Sequence, residues 1–495
     1  MLNRSVWFLL FTLVLGPFAQ SAARAKPLFI TNITIIDAAG NPPQPEMTVV
    51  ITGDRITTLV PSARIKLSAN ADVVDGRGKF LIPGLWDSHL HLTLAGKQEL
   101  TREWMAPMLI AHGVTTVRDM GGDWQRIQDL RRDIAAGRTL GPRIFAPGSF
   151  VDGPPSQADV SASVVTTAEE ARAAVRRLKS QGVDFIKVQA NLSWESYRAV
   201  MDEAAQVSIP VVGHVPEAIS AFDAVRAGQR SVEHTSPVIP GDAGVMLACS
   251  GKERQLRAEM LAQKQLAADK KADQQQLRQR QRQLQRQMAE TRDDKICADL
   301  LALFVQDGVR AVPTQVFGKR FAPLGSDDLP GDDAMKLVPL SIRARSDDRR
   351  KQVISASTAE DFALRRLMFD KSRELVGLMH RAGVILLAGT DAMDDYVLPG
   401  AGLHEELELM VEAGLTPLEA LQSATRNPAQ FVNKLDTLGT IERGKIADLV
   451  LLDADPLQQI GNLRKVSAVI VGGKLLSQTQ RQELLTKIGV FAKQH

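Results

Sequence analysis

The chain has 495 residues, 24% of them charged and 44% hydrophobic, with a formal net charge of +3. That length buries a large core and accommodates more than one structural unit. So small a net charge, without Lys/Arg clusters interleaved with aromatics, argues against nucleic acid as a partner, and glycine-rich phosphate loops of the Walker or Rossmann type are absent.

Residues 1–25 read as an export signal, which makes the mature protein periplasmic or secreted. Arg4 gives a positive start, Val6 to Leu15 is a short apolar run, Pro17 breaks it, and Ser21-Ala22-Ala23 or Ala23-Arg24-Ala25 suits cleavage. The run is short for a bilayer span, the alternative being an uncleaved N-terminal anchor. In an oxidising compartment the only two cysteines, Cys249 and Cys297, are expected to pair.

Residues 26–83 contain short alternating strands, among them 47–60 with a hairpin turn at Gly53-Asp54. The segments 445–453 and 466–476 look alike. Both ends of the chain, 26–83 and 437–485, are therefore expected to build one small β-sandwich domain beside a central domain spanning 84–436.

The central part repeats a unit in which an amphipathic helix ends, a glycine follows and an apolar strand begins. The glycines are Gly113, Gly182, Gly228, Gly308 and Gly383. Eight strands are predicted near 85–91, 114–119, 143–147, 184–189, 210–214, 230–234, 309–313 and 384–390. Parallel strands with intervening helices predict an α/β fold, a (β/α)8 TIM barrel, whose chemistry sits at the C-terminal strand ends.

Residues able to hold metal fall at those ends. His89 and His91 are two apart on the first strand, so both imidazoles face the same side. Lys187 lies in an apolar run, where an ammonium is costly unless paired or neutralised. His214, His234 and Asp391 end further strands. Each has an ordinary explanation alone: a core histidine, a surface lysine, an aspartate capping a helix. The informative feature is their joint position.

Residues 249–297 form a Gln/Arg-rich helical insertion after the sixth strand, with Leu277, Leu284 and Met288 at helical spacing. A solvated arm is the plain reading; a lid, or a contact between copies in a homo-oligomer, is the sharper one. If the two cysteines bracketing it pair, closing that loop stabilises by roughly 4 kcal/mol. The irregular stretch 321–348 is a candidate substrate-covering loop. Tyr396 is either an ordinary loop tyrosine or within reach of the pocket. His112 and His380 sit in last helical turns, where a cation suits the helix dipole, and His404 packs or caps at the start of the helix after the eighth strand.

The set His89-Leu90-His91, Lys187, His214, His234 and Asp391 resembles the amidohydrolase superfamily. The segments Gly213-His214-Val215-Pro216, Glu233-His234-Thr235 and Ala388-Gly389-Thr390-Asp391 are most similar to its imidazolonepropionase-like and Xaa-Pro-dipeptidase-like branch. The resemblance implies two divalent metal ions, zinc the foremost choice. It assigns His89, His91 and Asp391 to one ion, His214 and His234 to the second, and Lys187, carboxylated by CO2 to a carbamate, to bridging both. It further implies hydrolysis of amide or peptide C–N bonds by metal-activated water, with Asp391 as the catalytic base and a small molecule or short peptide as substrate. Lactone, ester or phosphoester hydrolysis at the same site, or a metal-containing binding protein without turnover, are the alternatives.

Overall fold

The computed structural model describes residues 26–93, 98–156, 161–235, 244–268, 273–322, 332–392 and 397–495. The signal read at 1–25, Tyr396 and positions 323–331 lie outside the described residues.

The chain begins with strands β1 (Leu28–Ile35), β2 (Gln44–Thr52), β3 (Arg55–Pro61), β4 (Asp72–Asp75) and β5 (Phe80–Pro83). Next come β6 (Leu85–Leu90), β7 (Val114–Asp119), β8 (Arg143–Phe145), β9 (Phe150–Asp152), β10 (Ala162–Val164), β11 (Ile186–Val188), β12 (Val211–Gly213), β13 (Ser231–Glu233) and β14 (Arg310–Val312). The last are β15 (Leu449–Leu452), β16 (Val466–Val471) and β17 (Lys474–Leu476). The molecule is an α/β protein with a mixed sheet built from both chain ends and a set of parallel strands between them.

The mixed sheet runs β17-β16-β15-β5-β1-β2-β3, with β4 also paired to β1. Gly53 turns the β2–β3 hairpin at φ +61°, a conformation that suits glycine. Ile56 N donates to Lys445 O at 2.9 Å and Ala447 N to Asp54 O at 2.8 Å, so β3 meets the segment that enters β15. Ile30, Ile33, Val49, Ile51, Leu449 and Ile470 pack together on this sheet as a core of their own.

β6, β7 and β8 pair in parallel, and so do β9, β11, β12, β13 and β14. Asp184 N donates to Ala146 O at 2.9 Å and links the two groups. At the far end, Leu387 N donates to Ala311 O and Ser88 N to Ala388 O, at 2.9 and 2.8 Å, returning the bonding to β6. Every residue of β6 and β7 is buried, as expected of parallel strands covered on both faces. All five glycines after helices take positive φ, between 65° and 94°.

Three expectations are corrected. The eighth predicted strand, 384–390, makes only isolated bridges, through Leu386 and, just beyond the segment, Ala392. Asp391 turns to φ +56° there, which regular strand geometry does not allow. The third strand stops at Phe145; Pro147 lacks an N–H to continue a ladder, and the chain pairs again as β9, beside β11. The described part of 321–348 is largely helical, with helices at Asp332–Met335 and Leu340–Ala356.

The insertion holds helices Glu253–Ala268 and Gln274–Glu290, preceded by Gly244–Ala248 and leading into Asp294–Gln306. Cys249 and Cys297 are bonded at its base, with Cα atoms 4.3 Å apart. The arm is not solvated all round. Lys264 pairs with Asn191 and Glu217, and Arg257 donates to Glu217 O at 2.7 Å. Asn191 and Glu217 follow Lys187 and His214 by four and three residues, so this helix lies at the end of the strands that carries them. On the other side, Arg282 grips Asp361 through two nitrogens at 2.6 and 2.9 Å. Leu256, Leu284 and Met288 are buried.

His112 also departs from expectation. It lies at the end of the helix Ala106–Ala111, partly buried, with Nδ1 donating to Met108 O at 2.9 Å. Burial lowers its pKa to about 4 and that of neighbouring His404, whose Nε2 donates to His112 O, to about 3. Both are therefore neutral packing groups rather than cations at a helix end.

Replacing Cys249 and Cys297 by serine is expected to lower stability by roughly 2–4 kcal/mol, because the open loop regains entropy in the unfolded chain. Urea unfolding of the two proteins checks this. For His404, the unfolded chain takes up a proton below about pH 6.5 while the folded ring does so only near its depressed value. Its stabilising share is complete above about pH 6.5 and declines on acidification, by about 2 kcal/mol at pH 5. His404→Gln should therefore lose less stability than the parent between pH 7.5 and 5, as read from unfolding curves at the two pH values.

Candidate metal centre

Five of the six residues singled out in the sequence sit at or just past the C-terminal ends of β6, β12 and β13 and of the segment beside β14; Lys187 is the middle residue of β11. The structure brings His89, His234 and Asp391 together, with one possible ligand atom from each within 4.8 Å of the others. His89 Nε2 and His91 Nε2 each lie 3.5 Å from Asp391 Oδ1. The His234 ring is 4.6 Å from that of His89 and 4.7 Å from that of His214, centroid to centroid. Lys187 is buried and registers opposite Val212, two residues before His214.

Hydrogen bonds settle which nitrogen of three rings is available. His89 Nδ1 donates to Glu233 Oε2 at 2.9 Å. His91 Nδ1 donates to Gly121 O, also at 2.9 Å. His234 Nδ1 donates to Thr314 Oγ1 at 2.8 Å, because that hydroxyl spends its own proton on Pro313 O. A neutral imidazole that donates from Nδ1 carries its lone pair on Nε2. Burial first, and then the charge of Lys187, push the His89 and His214 pKa values well below the ordinary histidine range. Neutral rings with bare Nε2 atoms beside a carboxylate are what a divalent ion of the zinc type needs, so the residues fit such an ion.

The backbone is bent to make this possible. His234, Thr314 and Asp391 all have positive φ, 69°, 50° and 56°. Such conformations cost on the order of 1–3 kcal/mol each in non-glycine residues and gather at functional sites. At position 389, any Cβ would come within 2.8 Å of His89 N, so only glycine lets that segment approach β6. Thr390 N and Asp391 N then both donate to His89 O, at 3.0 and 2.6 Å.

Several supporting residues were missed in the sequence. Asp87, fully buried, accepts from Thr390 Oγ1 at 2.6 Å and from Thr390 N at 3.0 Å, tying β6 to the Asp391 segment. Burial raises its pKa to about 7. Asp119 accepts from Leu92 N and Gly121 N, at 2.7 and 3.0 Å, and shapes the loop around His91. Glu233, Arg118 and Thr314 complete the set. A signal existed for three of them: Asp87, Arg118 and Glu233 are charged residues in apolar strands, the same anomaly that drew attention to Lys187.

The amidohydrolase family profile matches residues 80–248 and 340–476. The ochratoxinase of Aspergillus niger is 22% identical over 453 residues, covering 80% of this chain and 75% of that protein. Among solved structures, a bottromycin amidohydrolase superposes with a TM-score of 0.68 at 20% identity, covering 95% of this chain and 91% of the other. A Xaa-Pro dipeptidase with bound methionine gives a TM-score of 0.64 at 22% identity over 91% of this chain and all, 100%, of that one. With a profile match over more than half its length and the histidine–aspartate cluster at its strand ends, the chain belongs to the amidohydrolase family and is an enzyme of that class.

Proposed function

We propose that this protein is a binuclear metal-dependent hydrolase of amide or peptide C–N bonds, acting on dipeptides or N-acyl amino acids. The observation that carries the reading is the gathering of His89, His234 and Asp391, with His91 Nε2 also 3.5 Å from Asp391 Oδ1, while Nδ1 of each of the three rings is bonded elsewhere in the chain. In this reading the parallel strands are a (β/α)8 barrel over 84–436, flanked by a β-sandwich of 26–83 and 437–485. His89, His91 and Asp391 would hold one ion and His214 and His234 the other. Lys187, carboxylated by CO2, would bridge them, and its burial in β11, registered opposite the strand that leads to His214, supports that place. Zinc suits the imidazole-rich donor set.

The ions, when bound, polarise the scissile carbonyl and make water acidic near neutrality. The protein's own part is proton transfer and orientation. Asp391 is the least enclosed carboxylate of the cluster, its side chain 17% exposed, so substrate and water reach it. Its carboxylate takes the proton of the attacking water and returns it to the leaving nitrogen. The strained backbone at 391 and the Asp87–Thr390 clamp hold it in place for both transfers.

The relatives guide the substrate. The names bottromycin amidohydrolase and Xaa-Pro dipeptidase support an amide or peptide C–N bond as the target. Export, read from residues 1–25, is supported by the Cys249–Cys297 bridge, since such bonds persist in oxidising compartments.

Purified protein is expected to carry about two equivalents of divalent metal and to turn over members of a panel of Xaa-Pro and other dipeptides and N-acyl amino acids, with lactones as the contrast. Asp391→Asn should reduce kcat by about 10³-fold while much of the metal remains, as measured by elemental analysis. Turnover of lactones with every amide inert would overturn the C–N assignment, and full turnover by the Asn variant would remove the role given to Asp391.

A further inference from the structure

We infer that Glu233, held by Arg118, is the positioning residue that makes His89 a metal ligand. The inference rests on the metal-centre reading above and concerns how this chain prepares that centre.

Glu233 and Arg118 are enclosed completely, with side-chain exposures of 0% each. The carboxylate's hydrogen-bond partners lie inside the protein. Oε2 accepts from His89 Nδ1 at 2.9 Å, and Oε1 accepts from Arg118 Nη2 at 2.8 Å and from Ser231 Oγ at 2.6 Å. The Arg118 guanidinium stands over the rings of Phe185 and Phe431, 5.4 and 5.0 Å from their centroids. The pair joins β7 to β13, strands that are not neighbours, so it crosses the interior beneath the histidines.

The geometry depends on a local break in alternation. Ser231 and Glu233 are two apart on β13 and share a face. His234, next in line, would point away if the strand continued. Its φ of +69° ends the strand and lets Glu233 and His234 serve the same site from adjacent positions.

The chemistry follows from the acceptor. A carboxylate accepts only, so it demands the proton on His89 Nδ1 and leaves Nε2 bare. Arg118 and Ser231 bond its other oxygen, so Oε2 is the atom turned to His89. In Glu233→Gln, Arg118 and Ser231 still claim the side-chain oxygen, and the amide NH2 is left facing His89. The imidazole must then accept at Nδ1 and carry its proton on Nε2, where it blocks the metal.

The test uses full-length protein stripped of metal, titrated with Zn2+ against a competing chelator. It also uses 15N-histidine NMR of the apo protein, the His89 signal assigned by comparison with His89→Asn. The wild type should show His89 protonated on Nδ1, and Glu233→Gln should show it protonated on Nε2, with Zn2+ affinity at one site weaker by 10–100-fold. A role confined to stability would lower the unfolding temperature and leave tautomer and affinity unchanged; that outcome overturns the inference. So does wild-type His89 protonated on Nε2, a result that does not require the variant to fold. Wild-type protein that binds no Zn2+ at all, with His89 still protonated on Nδ1, would instead count against the metal-centre reading and leave the positioning of His89 intact.

Discussion

A buried imidazole can ligate a cation only if it is neutral and its lone pair points the right way. Here both conditions are met by acceptors that belong to other parts of the chain. His89 is served by Glu233 at the end of β13, His91 by the carbonyl of Gly121 after β7, and His234 by Thr314 after β14. None of these three histidines is oriented by its own element. The cluster therefore depends on the placement of these strands beside one another.

That arrangement is expensive for an apolar interior. Asp87, Asp119, Lys187, Arg118 and Glu233 are all enclosed, and three residues hold left-handed backbone. Burying a charge is tolerated only where partners neutralise or hydrogen-bond it. The partners are present: Arg118 with Glu233, two backbone amides with Asp119, and Thr390 with Asp87. The large core around the strands and helices offsets the remaining cost.

The helical insertion acts on the same end of the molecule. Its first long helix joins Asn191 and Glu217, which lie just past Lys187 and His214, and its second joins Asp361 at the start of a long helix. The disulfide at its base limits how far the arm can depart from those contacts. It lies beside the chain that follows Lys187 and His214, and its polar composition does not distinguish that place from a solvated one, since Gln, Arg and Lys serve equally as solvated residues and as donors to carboxylates.

The α/β class, the helix–glycine–strand repeat and the residue types at the strand ends are legible from the order of residues alone. These depend on local rules: side-chain alternation, glycine at helix ends, and histidine pairs two residues apart. Long-range packing sets the partners of the His89, His91 and His234 rings, pairs Glu233 with Arg118 across the interior, and bonds 384–392 to β14 and β6 without making it a regular strand. Those outcomes depend on residues far apart in the chain; Arg118 and Glu233 are separated by 115 positions. A one-dimensional pattern records that a charge lies in an apolar run, but its partner is chosen by the packing of strands that the pattern does not encode.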